Sequence, residues 1–166
     1  AIMITGISAV VLMQMATNTM QSMVQNETID TMTQYAIEGS TMVQNVATQQ
    51  RLGGDNLFPT EGGKCYLISK DDVTGQYYFQ KEDSQTNTFQ SYTIDQRNTY
   101  RTEGAIPEDG KYFRIFCIDS NYQTSDSYVV VKIVVGQTMS NGDVTKGNNV
   151  ADYTYYTVVN LWRRNY

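Results

Sequence analysis

The sequence has no histidine among its 166 residues, only two cysteines and only two prolines. Without histidine the commonest general base and the commonest neutral metal ligand are gone, and two thiols cannot complete a four-thiolate zinc site. Most hydrolytic and metalloenzyme chemistries are thereby disfavoured, so neither an enzyme nor a bound cofactor is expected. Charge is also scarce, at 17% of residues against about a quarter in an ordinary domain. The net charge of −5 and an isoelectric point near 4.6 leave no basic field to collect phosphates, and nucleic acid is not an expected partner.

The scarcity is uneven. Residues 1–50 contain no Lys, Arg, Pro or Cys, and everything basic begins at Arg51. Seven of the eight methionines lie between Met3 and Met42, and only Met139 lies beyond. Two different physical objects are joined, with expected bounds of 1–54 and 55–166, and no internal repeat is visible. With 40% hydrophobic residues the chain can bury a real core. Its abundance of Thr, Asn, Gln and 13 Tyr has an extracellular flavour, in which Cys65 and Cys117 are expected to pair. Two buried thiols are compatible with the same count.

The run from Ala1 to Ala16 is broken only by Thr5, Gly6, Ser8 and Gln14. A helix tolerates these hydroxyls because they bond back to their own carbonyls. At 1.5 Å per residue such a helix spans roughly 24 Å, a marginal bilayer crossing. No basic stretch precedes it, as a cleavable signal would require, and the chain begins without Met, as a processed or truncated one would. The pattern then turns amphipathic, with Met20, Val24, Met32, Tyr35, Ala36, Gly39, Met42, Val43 and Val46 at three- and four-residue steps. Arg51 and Gly53-Gly54 supply a last-turn cation and a stop. The whole helix would reach about 75 Å, longer than a small domain is wide, so part of it must project. The stripe of Tyr35, Gly39, Val43 and Val46 allows the second half to join a domain core.

From Lys64 the period changes to two. Residues 65–69, 76–80, 88–94, 111–119, 127–135 and 152–162 read as antiparallel strands, with a tight turn at Asn141-Gly142. In the fourth, Phe113, Ile115 and Cys117 are expected to face inward with Arg114 on the other face, and Val129, Val131, Ile133 and Val135 alternate around Lys132 in the same way.

Candidate chemistry is thin. Asp71-Asp72 and Asp119-Ser120-Asn121 with Asp126 offer oxygen ligands for calcium but no calcium-loop spacing, and read more simply as turn residues. Glu61, Glu82, Glu103 and Glu108 could pair as glycosidase carboxylates, though acidic loop residues are usually solvated. No metal or catalytic residue is therefore assigned. Tyr77-Tyr78, Tyr153, Tyr155 and Tyr156 are candidates for a sugar-binding surface, against the simpler reading of strand tyrosines.

The N-terminal residues carry a resemblance. Ile2-Met3-Ile4, followed by Gly6, Ile7, Ala9, Val10, Val11 and Leu12 and by an amphipathic continuation to about residue 52 and a β-rich domain, resembles type IV pilins and the pseudopilins of type II secretion. It departs from them at Thr5, where that family has a glutamate; no acid precedes Glu27. Laying Ile2-Met3-Ile4 on the family run puts that glutamate at or before Ala1, so the first residues are missing or this subunit lacks the acid. Cys65 and Cys117 also differ from the usual C-terminal cysteine loop.

The resemblance implies an α+β fold in which a long N-terminal helix packs on a small antiparallel sheet. It implies a structural subunit of an extracellular, cell-surface helical filament, a pilus or pseudopilus. Its partners would be identical subunits and an assembly machinery, with storage in the cytoplasmic membrane before assembly. Filament-core packing would fall to Ile2, Met3, Ile4, Gly6, Ile7, Val10, Val11, Leu12, Met13, Met15, Met20 and Met23. Physical reasoning agrees: an apolar helix can exchange lipid for copies of itself, and head-to-tail contacts that do not close make a filament. The alternative is a single-pass membrane-anchored β domain acting as a binding or adhesion module.

Overall fold

The computed structural model describes residues 2–83, 85, 87–120, 128–138 and 152–162, with backbone alone for 2–9, 94 and 97. The fold is α+β: one long helix against a small antiparallel sheet, with a second, two-stranded sheet beside it. Helix α1 runs Ile2–Arg51. No proline interrupts it, and its many threonines do not compete with it, because their hydroxyls donate to the carbonyl four residues back. Thr17 bonds Met13 O, Thr28 bonds Val24 O and Thr48 bonds Gln44 O, at 2.8, 2.9 and 2.8 Å. Gly53, at φ 128°, ends the helix where a side chain would be strained, and the Gly54 amide donates back to Gln49 O.

The strands are β1 (Cys65–Tyr66), β2 (Ile68–Lys70), β3 (Tyr77–Phe79), β4 (Tyr112–Ile118), β5 (Tyr128–Gln137) and β6 (Tyr153–Asn160). The larger sheet has the order β1-β4-β5-β6, and β2 pairs with β3. The expected strand at 65–69 is thus split at Leu67, whose carbonyl turns to accept the Gln80 amide at 3.0 Å. The expected strand at 88–94 is not one. Phe89 and Tyr92 each make a single bridge, to Lys81 and Cys65, and the chain then turns into a short 3-10 segment and helix α2 (Arg97–Glu103). The Asn141-Gly142 turn lies outside the described residues.

Pairing register decides the faces. Phe116 lies opposite Ile133, Ile118 opposite Val131 and Arg114 opposite Val135. These side chains face α1, and all but Arg114 join Met32, Ala36, Val43, Val46, Val129 and Val159 in the main core. Phe113, Ile115 and Cys117 point the other way, into a second cluster with Cys65, Leu67, Tyr92 and Tyr100. The larger sheet is therefore buried on both faces around β4. The expectation that Phe113 and Val131 share an inward face is corrected, and Arg114 lies toward the helix rather than away from it. Gly39 makes that approach possible: a Cβ there would meet Arg114 Cδ at 2.8 Å and both Phe116 Cε1 and Ile133 Cγ2 at 3.2 Å.

Candidate assembly surface

Among the described residues, burial along helix α1 begins at Thr28. Thr28, Met32, Ala36, Gly39, Val43 and Val46 recur every three or four residues and are buried. Polar side chains lock the docked half. Arg114 Nη1 donates to Tyr35 O at 2.9 Å and to Glu38 Oε2 at 3.1 Å, and Gln44 Nε2 donates to Val158 O at 3.0 Å. The Tyr35 hydroxyl reaches Asp109 Oδ2 at 3.2 Å, and burial together with that carboxylate raises its pKa above the ordinary value. At the helix end Gln50 Oε1 accepts the Leu57 and Phe58 amides at 3.0 and 2.7 Å.

Residues 10–27 are exposed throughout. Val10, Val11, Leu12, Met13, Met15, Met20 and Met23 are all exposed, from 46% at Val11 to 75% at Met13. Ile2, Met3, Ile4, Gly6 and Ile7 continue the same helix, and their side chains lie outside the described set. No ionisable side chain precedes Glu27, so the exposed stretch 10–26, roughly 26 Å long at 1.5 Å per residue, carries no charge that would have to be desolvated in a contact. Among the described residues no helix is long and apolar enough to cross a membrane. At 100° per residue, Met13, Ala16, Met20, Met23 and Val24 fall on one arc of roughly 100°. That arc is turned by roughly 120° from the docked stripe. This arc is therefore not a continuation of the stripe that holds the domain, and Val10, Val11, Leu12 and Met15 fall outside it.

Cys65 and Cys117 are bonded to each other, across a separation of 52 residues. The register explains it. Both backbone groups of Cys65 are taken by Tyr92, so Cys65 and Cys117 form a pair without mutual hydrogen bonds, the position where cross-strand side chains come closest.

The remaining candidates are scattered. Asp71 caps its own turn, accepting the Val73 and Thr74 amides at 2.8 and 3.0 Å. Those amides, Thr74 first, hold its carboxyl below the usual range. Asp119 follows β4, while Asn121 and Asp126 lie outside the described residues, and among those described no acidic cluster has the make-up of a metal site. Glu61 pairs with Lys64 at 2.8 Å, and Glu103 accepts the Tyr92 hydroxyl. Burial, then that contact, pushes the Tyr92 phenol well up; burial, then Glu61, pushes Tyr66 up to about 12. Glu103 and Glu108 line a cleft of about 570 Å³ between α1, the β2–β3 hairpin and the start of β4, with Glu38, Lys70, Tyr77 and Arg114. Glu61 and Glu82 line a separate one of about 260 Å³. Of the tyrosines, Tyr78 and Tyr156 are exposed, whereas Tyr77, Tyr153 and Tyr155 pack partly against the main core. They do not make one flat aromatic platform.

Compared with protein-family models, with curated proteins and with solved structures, the chain matches none.

Proposed function

We propose that the chain is a pilin-like structural subunit, a building block of a helical filament at the cell surface. The single observation behind this reading is the uncharged, exposed helix over residues 10–26, rich in Met, Val and Leu side chains, beside a domain that has a buried core of its own. An exposed apolar face of that size calls for a partner. A second copy of the same helix offers one of matching length and chemistry, with Met side chains that adapt to neighbours. Because the free arc is turned away from the docked stripe, copies can pack through it without displacing their own β domains, which would then form the outer surface. Before assembly the same face would rest in a lipid bilayer, and lipid contacts would be exchanged for protein contacts.

A monomeric, anchored binding module is favoured instead by the cleft that Tyr77, Glu103 and Arg114 line. Electron microscopy and sedimentation of the purified chain after detergent removal separate the two. Filaments of regular helical symmetry support the subunit reading, and a persistently monodisperse monomer rejects it.

A further inference from the structure

We propose that Met13, Met15, Met20 and Met23 form a modification site at which a hydroperoxide reversibly blocks assembly, an inference that rests on residues 10–27 being the assembly surface. These four side chains are 63–75% exposed, whereas Met32 and Met42 on the same helix are 0% and 5% exposed. The chemistry of the six thioethers is the same, so access alone separates them. Nothing softer competes for the oxidant, because the chain has two cysteines and both are in the disulfide.

The reaction needs only a hydroperoxide. A sulfur lone pair attacks the distal peroxide oxygen, the O–O bond breaks and an S–O bond forms. The proton on the transferred oxygen passes to the departing one, which leaves as water or an alcohol. Sulfur is oxidised by two electrons and the peroxide is reduced by two. The product changes the surface where it matters. A flexible apolar side chain becomes a polar one, and Met13, Met20 and Met23 supply most of the apolar arc of the free half. Packed against apolar neighbours, each new sulfoxide oxygen would lack a donor. Thioethers already covered in a polymer would be out of reach, so the modification would act on unassembled chains and spare assembled ones.

The test uses the whole chain, with and without hydrogen peroxide, beside the variant M13L/M15L/M20L/M23L. Fragmentation mass spectrometry locates added oxygen, sedimentation measures polymer, and the two epimer-specific methionine sulfoxide reductases attempt repair. Oxidation of these four methionines well ahead of Met32 and Met42 is expected. With it should come at least a tenfold loss of sedimentable polymer, recovery after reductase treatment, and no peroxide effect on the leucine variant. Equal oxidation of Met32 and Met42, undiminished polymer from the oxidised chain, or a peroxide-sensitive leucine variant overturns the inference while leaving the assembly reading intact. Should the leucine variant not polymerise at all, the reductases decide, and failure to restore polymer overturns the proposal. Absence of polymer from the untreated chain ends both readings together.

Discussion

The two halves of α1 share one helix and much of one vocabulary, yet Met20 and Met23 stand in solvent while Met32 and Met42 are buried. The difference lies in what each half finds beside it. From Thr28 on, the stripe meets β4, β5 and β6 with small residues at the closest approach and polar ones, Ser40 and Gln44, aimed at Thr157 and Val158 on β6. Among the described residues nothing buries residues 10–27, and their helix persists for another reason. Nucleating a helix is the costly step, whereas extending one adds a hydrogen bond per residue fixed. The docked half supplies a permanent nucleus. Forming the helix and docking it are thus separate events, and each can be attacked alone.

Truncation should give the largest contrast. A fragment beginning at Asp55 loses Met32, Ala36, Met42, Val43, Val46 and Ala47 from the main core. At about 1.5–3 kcal/mol for each large buried side chain, that exceeds the margin of most domains. It should be molten by near-ultraviolet circular dichroism, and should recover when the 28–52 segment is supplied. A fragment beginning at Thr28 should be folded, soluble and monomeric. A well-folded Asp55 fragment would mean that the sheet closes its own core and that the docked half is ornamental.

Single carboxylates sharpen the same contrast. Val43→Asp places a charge at a position that is 0% exposed, and an unpaired buried carboxylate costs several kcal/mol, so the thermal transition should be lost or fall steeply. Met20→Asp, on the exposed arc, should leave that transition within a degree or two of the parent while abolishing polymer under electron microscopy. Normal filaments from Met20→Asp would remove that arc from assembly.

Much of this division was legible in sequence, because it is written in residue types that act locally. Arg51 and Gly53 fix the helix end, and the absence of charge before Glu27 marks the free half. Val129, Val131, Ile133 and Val135 trace β5 by strict alternation. The parts that were not legible depend on distant partners. In β4 both phases are apolar, Tyr112, Phe116 and Ile118 against Phe113 and Ile115, and such a run signals burial on two sides without saying which phase meets the helix. Arg114 looked like a surface marker, but its partners, Tyr35 O and Glu38, lie 79 and 76 residues away. Helix α2 offered one buried anchor, Tyr100, which is too few for a periodic signal. Of the proposed surface, the residues were legible; their clearance from the domain and the rotation of the two stripes needed coordinates.

Reduction of the disulfide should act on one side of the comparison only. Cys117 points into the cluster away from α1, so cleaving its bond to Cys65 loosens the β1–β4 pairing and leaves the docking face in place. Closing a loop of this length stabilises by about 4 kcal/mol in the chain-entropy account, equivalent to a fall in melting temperature of roughly 10 °C. Intact mass should rise by two hydrogens on reduction. A fall in polymer yield at temperatures where the reduced domain is still folded would show that the free half depends on the far side of the sheet.

Alkaline pH should produce the smallest separation, and its sign follows from the buried phenols. Tyr66 is 2% exposed and its pKa is pushed from 10 up to about 12. Below pH 10 the phenol is neutral both folded and unfolded, and its contribution is fully present. As pH rises from 10 toward 12 the unfolded chain releases the proton while the folded chain keeps it. Stability is lost over that window, by about 3 kcal/mol for a two-unit difference. Tyr35 and Tyr92 shift in the same direction and add to the loss. Residues 2–26 contain no ionisable side chain, so nothing in the free half answers to the same change. The urea midpoint should therefore fall between pH 9 and about pH 10.5, less so in Tyr66→Phe, while polymer yield from the still-folded chain stays constant. A yield that drops in step with the midpoint would place a titrating tyrosine in the contact between copies and move part of the assembly surface from the helix onto the sheet.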